Sequence, residues 1–183
     1  PQSALPEVQF HFLPTYLRNH GRDLAPGYGA TLHMCQLRPQ SRGFIGLKSA
    51  DPLAAPVIQP NYLSHADDWD EMLRGLKLAR RIFEANAFHD INGGEVTPGV
   101  GVSSDQDLRA YIRRSAETIY HPVGSCKMGN DDMAVVDAQL RVHGLSGLRI
   151  ADASIMPTLI GGNTNAPCMV IGEKCSRAIL TSH

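Results

Sequence analysis

The sequence lacks most of the short motifs that mark metal, redox or nucleic-acid chemistry. It contains no HExxH pattern, no CxxC pair and no GxSxG pattern, which excludes the common signatures of zinc proteases, zinc ribbons and serine hydrolases. Its 17 basic and 18 acidic residues give a net charge of −1, and the basic residues form no block. We therefore predict no metal site and no nucleic-acid partner.

Long apolar segments are also missing. No apolar run reaches the roughly 18 residues that a membrane span requires, and the opening residues PQSALP lack the basic start and apolar core of a signal peptide. We predict no transmembrane segment and a cytoplasmic location, with peripheral attachment to a membrane left open. The chain has no initiator Met and opens directly on strand-like residues, so we expect it to be a fragment of a longer protein.

Cysteine is scarce, with four residues at positions 35, 126, 168 and 175. Cys168 and Cys175 are seven positions apart, a spacing that places two residues on the same face of a helix. We predict buried structural thiols in a reducing compartment. A disulfide or a redox switch is the alternative.

The sequence does contain enough apolar residues to form a core. Its hydrophobic content is 43% in a chain of 183 residues. Helical spacing is clearest from residue 67, where Asp67 and Asp68 suit a helix start and Arg80 and Arg81 suit its end. Seven apolar residues lie on one face of this helix: Trp69, Met72, Leu73, Leu76, Ala79, Ile82 and Phe83.

Two further helices are predicted. Ser104-Asp105-Gln106-Asp107 resembles a capping box that opens a helix ending near Ser115. The last helix starts near Pro167, with Asn165 or Ala166 as its cap. Its predicted inward side chains are Val170, Ile171, Cys175 and Ile179.

The remaining segments alternate between strands and Gly- or Pro-rich turns. The expected strands cover residues 7–13, 31–37, 43–48, 57–59, 133–142 and 148–150. Residues 38–42 are compatible with a hairpin connection, and residues 14–30 and 92–102 are expected to form irregular loops. Strands separated from helices in this way predict an α+β fold, an antiparallel sheet with flanking helices, rather than repeated βαβ units.

Two residues stand out as candidates for chemistry. His121 lies between an aromatic residue and a Pro- and Gly-rich turn, where Gly124 would let another chain or a flat ligand approach closely. Asn163 lies in a Gly-rich loop that leads into the last helix, whose unpaired N–H groups could hold negative charge. Asn in such a loop is also a common turn former, and we expect the other seven histidines to be structural or solvated.

The residues around this pair follow the order of a known family. YHPVGSCKMG at 120–129 precedes VVD at 135–137, LRVxG at 140–144, GLRIADASxxP at 147–157 and GGNxNAP at 161–167, and LRPxSRG at 37–43 and NYL at 61–63 lie upstream. This order resembles the C-terminal part of glucose-methanol-choline (GMC) oxidoreductases, flavoenzymes that oxidise alcohols. The resemblance is closest to bacterial alcohol and choline dehydrogenase-like members and covers nearly the whole chain.

The resemblance implies roles for six residues. His121 corresponds to the catalytic histidine of the family, and Asn163 to its second catalytic position, which is His or Asn. Four other residues correspond to positions near the FAD: Asp152, Ala153, Thr164 and Asn165. The implied substrate is a small primary alcohol, oxidised to an aldehyde by hydride transfer to the flavin.

The chain departs from the family in one respect. The family binds FAD through an N-terminal Rossmann unit with GxGxxG, and no such motif occurs here, since Gly99-Val100-Gly101 lacks the following glycine. We expect residues 1–134 to form part of the substrate domain and residues 135–183 to complete the FAD domain. The predicted partner is therefore the N-terminal FAD-binding part of the same protein, without which we expect no tight FAD binding and no turnover.

Two alternatives to alcohol oxidation follow. One is a flavin-containing hydroxynitrile lyase of the same fold, and the other is a non-catalytic structural or interaction domain. The identity of the alcohol, the final electron acceptor and the oligomeric state are left open.

Overall fold

The computed structural model describes residues 5–21, 23–24 and 27–181. Within them the chain has an α+β fold, with three α-helices and six strands that pair as three small antiparallel sheets. The strands are β1 (Val8–Leu13), β2 (Leu17–Arg18), β3 (Asp23–Leu24), β4 (Thr31–Gln36), β5 (Phe44–Gly46) and β6 (Val57–Gln59). The helices are α1 (Ala66–Phe83), α2 (Asp105–Ser115) and α3 (Asn165–Leu180), with single 3₁₀ turns at Asn19–Gly21, Asn86–Phe88 and Ala153–Ile155.

The chain divides into two compact units. One comprises the described residues up to Gln36 together with His65–Glu117, and the other comprises Leu37–Ser64 together with the described residues from Thr118. The predicted assignment of residues 1–134 and 135–183 to two domains of a longer protein stays a prediction.

The first unit is built on the β1–β4 sheet, which packs against α1. The strands run antiparallel from Val8 opposite Gln36 to Leu13 opposite Thr31. Gly75 of α1 approaches β4 so closely that a Cβ there would lie 2.7 Å from Sδ of Met34. The lack of a side chain at Gly75 therefore lets the helix lie close to the sheet.

Helices α1 and α2 form where the sequence predicts them. Nδ1 of His65 accepts the Asp67 N–H at the start of α1, and Oγ of Ser104 accepts the Asp107 N–H at the start of α2. Each cap satisfies a backbone N–H that the first helical turn leaves unpaired. Both helices carry acidic residues in the first turn and arginines in the last, as the helix dipole favours.

The second unit has its core beneath α3. Val136 is fully buried (0% exposed) and packs with Leu140, Ile155 and Cys175. The β5–β6 sheet belongs to the same unit. All four cysteines are free thiols. Cys175 is buried as predicted, whereas Cys35, Cys126 and Cys168 are half-buried.

The structure corrects several predictions about strand pairing, strand positions and loops. Residues 38–42 do not join a hairpin, because β4 pairs with β1 and β5 pairs with β6. Residues 133–142 and 148–150 form isolated bridges rather than strands. The expected irregular loop 14–30 contains the short β2–β3 pair, and residues 22, 25 and 26 of that loop lie outside the described residues, as does His183.

The last helix differs from its prediction at its start and on its buried face. It begins at Asn165 with Thr164 as the N-cap residue, so the predicted caps Asn165 and Ala166 are its first two helical residues. Cys175 is buried as expected, whereas Val170 is 53% exposed and Ile179 is 40% exposed. No helix in the described part of the chain is long and apolar enough to cross a membrane.

Candidate active site

His121 follows a tight local turn. The Tyr120 N–H donates to Oγ1 of Thr118 at 2.9 Å, and Tyr120 has a left-handed backbone with φ of 64°. A non-glycine residue in this region is uncommon, and such backbones often accompany functional sites. Tyr120 is 70% exposed while the next side chain, His121, is half-buried. The chain therefore bends just before the candidate base.

Backbone hydrogen bonds then join residues 121–128, here called the His121 segment, to the segment that contains Asp152 and Ala153. The Gly124 N–H donates to the Ala153 carbonyl at 3.4 Å, the Cys126 N–H to the Ser154 carbonyl at 3.0 Å, and the Met128 N–H to the Ile155 carbonyl at 2.8 Å. Two candidate regions that are far apart in sequence are thus adjacent in the fold.

Gly124 makes this close approach possible. Its φ is 86°, a left-handed value that disfavours residues with a Cβ, and a Cβ built there would lie 3.2 Å from the Met156 carbonyl oxygen. The sequence identified this glycine as a point of close approach. In the structure the group that approaches it is the backbone of the chain itself.

Asp152 directs its carboxylate to its own turn. Its Oδ1 accepts the Ser154 N–H at 2.7 Å and so caps the 3₁₀ turn Ala153–Ile155. Hydrogen bonds from the Ser154 side chain and from the Ser154 backbone lower the pKa of Asp152 below its ordinary value. Asp152 therefore remains ionised at neutral pH and holds Ala153 in a fixed turn.

The other candidates form a continuous segment at the start of α3. Asn163 is exposed, Thr164 is 8% exposed, and Asn165 is the first helical residue. The Thr164 side chain makes no capping hydrogen bond, and the first turn of α3 has no acidic residue, unlike the first turns of α1 and α2. The partial positive charge of a helix start favours a negatively charged or electron-rich group at this end.

The two groups of candidates lie in the same compact unit. The turn Ala153–Ile155 packs against α3, and Ile155 and Cys175 share a core cluster. The core therefore holds two elements in place. One is the turn Ala153–Ile155, which accepts the hydrogen bonds of the His121 segment, and the other is helix α3, which begins two residues after Asn163. In the described part of the chain, no group of three or more His, Cys, Asp or Glu side chains is placed to hold a metal ion.

One residue at this site was missed by the sequence reasoning about function. The Arg38 guanidinium lies against Gly161 in the loop that carries Asn163, and a Cβ on Gly161 would be 2.5 Å from its Nη2 atom. The contact joins two distant parts of the sequence, so no local spacing indicates it. The motif match at residues 37–43 is the only sequence signal that could have drawn attention to Arg38.

A family model described as GMC oxidoreductase matches residues 39–172 of this chain. The chain is 53% identical over 180 residues to an "Alcohol dehydrogenase [acceptor]" from Pseudomonas putida, covering 98% of this chain and 33% of that protein. It is 46% identical over 182 residues to an "Oxygen-dependent choline dehydrogenase" from Rhizobium johnstonii, again covering 98% of this chain and 33% of the relative. The chain thus spans about a third of the length of these curated relatives.

Solved structures share the same fold. A pyridoxine 4-oxidase from Mesorbium loti superposes with a TM-score of 0.89 at 30% identity, covering 97% of this chain and 35% of that one. A formate oxidase from Aspergillus oryzae, studied for its FAD modification, superposes with a TM-score of 0.91 at 27% identity, covering 98% of this chain and 32% of that one.

Proposed function

The chain belongs to the GMC oxidoreductase family, and we propose that, as part of a longer protein, it supplies the acid–base residues for FAD-dependent oxidation of a primary alcohol to an aldehyde. The relatives named alcohol dehydrogenase and choline dehydrogenase support this reaction. The observation that carries the proposal is the set of three backbone hydrogen bonds between the His121 segment and residues 153–155. These bonds begin three residues after the candidate base and join its segment to the residues proposed to line the flavin, which supports the proposal.

His121 is the proposed base. An imidazole can accept the hydroxyl proton of an alcohol near neutral pH, and a positioned general base contributes about 10²–10⁴-fold to a rate. Asn163 is proposed to donate a hydrogen bond to the same oxygen as negative charge develops there. Bound FAD would accept the hydride of the carbinol carbon, which is chemistry that no side chain supplies.

The residues present suit one part of a flavin site. Asp152 holds the Ala153 turn through its bond to the Ser154 N–H. The start of α3 offers backbone N–H groups with no acidic residue nearby in its first turn and no capping side chain from Thr164. An electron-rich edge of a cofactor is favoured at such a helix start, so we propose Thr164 and Asn165 as contacts of the FAD. Asp152 and Ala153, in the turn held by that hydrogen bond, are the other two proposed contacts.

The remainder of the FAD site is proposed to lie in the rest of the protein. The chain covers about a third of its relatives and has no GxGxxG motif. Residues 135–183 would complete the FAD domain, and residues 1–134 would form part of the substrate domain. We also propose a cytoplasmic location for the whole enzyme.

The test is the His121→Ala variant of the whole protein. Alcohol-driven flavin reduction, followed by anaerobic stopped-flow absorbance, should slow by about 10²–10⁴-fold because the hydroxyl proton loses its acceptor. The FAD content should stay unchanged, since His121 is not proposed as a cofactor contact. His89→Ala is the matched control, because His89 is exposed and pairs with neighbouring Asp90.

Two outcomes would contradict the proposal. Flavin reduction at the wild-type rate in His121→Ala would remove His121 as the base. A wild-type protein whose bound FAD is not bleached by any primary alcohol would contradict oxidation itself, and release of an aldehyde from a cyanohydrin by that protein would favour the lyase.

A further inference from the structure

The loop that leads to Asn163 is held from one side by a distant arginine. Gly161 has a left-handed backbone with φ of 76°. A Cβ built on it would lie 2.5 Å from Nη2, 2.8 Å from Cζ and 3.2 Å from Nη1 of Arg38. The three distances show that the guanidinium plane covers the face of Gly161 where a side chain would project.

Two separate constraints therefore apply at Gly161. The left-handed backbone is costly for any residue with a Cβ, and the space that a Cβ would need is already filled by Arg38. The contact is also specific to arginine, because a planar guanidinium can lie flat on a peptide whereas the compact, strongly hydrated ammonium of lysine cannot.

Arg38 itself is anchored on both sides. The preceding Leu37 is buried, and the Arg38 carbonyl accepts a hydrogen bond from Nε2 of Gln40 at 3.1 Å. The Arg38 side chain is half-buried. A fixed backbone and a partly enclosed side chain give the guanidinium few alternative positions, so it can act as a rigid support.

We propose that Arg38 is a positioning residue for Asn163, acting through the backbone of Gly161; this inference rests on the proposed function. Gly161 lies two residues before Asn163 and three before the buried N-cap residue Thr164. The loop is thus fixed at Thr164 on one side and at Gly161 on the other. Removing the guanidinium frees the loop at Gly161 and lets the Asn163 amide leave the position from which it donates to the substrate oxygen.

The expected effect falls on the chemical step. A displacement of about 1 Å at a positioned group can cost about 10²-fold in rate. We expect Arg38→Met and Arg38→Lys in the whole protein to slow flavin reduction by about 10- to 100-fold, with a smaller change in the alcohol concentration that gives half-maximal rate. Arg42→Lys is the matched control, because the single Nη1 of Arg42 donates to the Pro39 and Ser41 carbonyls and an ammonium can replace it.

A double-mutant cycle separates positioning from a general structural role. If Arg38 acts through Asn163, then Arg38→Met combined with Asn163→Ala should be no slower than Asn163→Ala alone. Multiplicative losses in the double variant would overturn the proposal. Should Arg38→Met fail to retain FAD, the same cycle is run with Arg38→Lys.

Hydrogen–deuterium exchange gives a readout that does not depend on activity. The backbone amides of the loop 161–164 should exchange faster in Arg38→Met than in wild type, and at the wild-type rate in Arg42→Lys. Unchanged exchange in Arg38→Met would overturn the proposal even if activity falls. A wild-type enzyme that shows no alcohol-driven flavin reduction contradicts the proposed function instead, whatever the exchange data show.

Discussion

Replacing Gly124 by alanine tests whether the backbone contact beside His121 matters for activity. Gly124 has a φ of 86°, and Gly144, in an exposed turn of the same unit, has a φ of 77°. Both positions should lose about 1–2 kcal/mol on substitution by alanine, because a left-handed backbone is costly for an L-residue. Alanine also restricts the unfolded chain. The lower entropy of the unfolded state stabilises the fold by about 0.4–1 kcal/mol, which offsets part of that loss in both variants.

The two glycines differ in their surroundings. No atom lies within 4 Å of a Cβ at Gly144, whereas a Cβ at Gly124 would meet the Met156 carbonyl oxygen at 3.2 Å. The two segments must then separate by a few tenths of an ångström, and the long 3.4 Å bond from the Gly124 N–H to the Ala153 carbonyl is the first to weaken. A hydrogen bond contributes about 0.5–1.5 kcal/mol, so Gly124→Ala should be about 1 kcal/mol more destabilising than Gly144→Ala.

The assay has two parts, both on the whole protein. Urea denaturation compares the free energies of unfolding of the two variants, and anaerobic stopped-flow compares flavin reduction by alcohol. We expect Gly124→Ala to be slower than wild type and Gly144→Ala to react at the wild-type rate. Equal losses of stability in the two variants would refute the packing argument, and a wild-type rate in Gly124→Ala would refute the link between this contact and His121.

Two further predictions concern charged side chains. Hydrogen bonds from Ser154 lower the pKa of Asp152, so its ionised form stabilises the fold above the unfolded-state pKa of about 3.9, and this contribution is lost as pH falls through the folded-state pKa. In urea denaturation, the difference in unfolding free energy between wild type and Asp152→Asn should therefore be constant near neutral pH and shrink on acidification. A difference that grows on acidification would contradict the argument. Arg80 binds both Glu95 carboxylate oxygens, at 3.0 and 2.9 Å, with exposures of only 21% and 23% for the two side chains, so Arg80→Met should cost about 2 kcal/mol in unfolding free energy. Arg109→Met, which breaks a more exposed pair with Asp70, should cost at most about 1 kcal/mol, and equal losses would contradict the role of burial.

Helices α1 and α2 were predicted well because their signals are local. The caps at His65 and Ser104 and the charged ends of α1 and α2 all lie within a few residues of the helix that they stabilise. Strand positions were also predicted for β1, β4, β5 and β6, since alternation and Pro-rich borders are local patterns. These features depend on neighbours in the sequence, so the sequence contains enough information to identify them.

Strand pairing was predicted less well because a strand can choose among distant partners. The short connection 38–42 suggested that β4 would pair with the next strand, yet β4 pairs with β1 along six residues. Residues 133–150 form only isolated bridges around Val136, whose burial comes from packing with Leu140, Ile155 and Cys175. Which edge is available, and which side chain is buried, depends on the whole fold.

For the candidate site, the family, the six candidate residues and the absence of a GxGxxG motif in this chain can all be read from the sequence. Motif order carries this information because the same residue types recur at the same spacings. The hydrogen bonds from residues 124–128 to residues 153–155 and the contact of Arg38 with Gly161 became visible in the folded chain alone. These contacts join residues far apart in the chain, and they form only when the core beneath α3 brings the segments together.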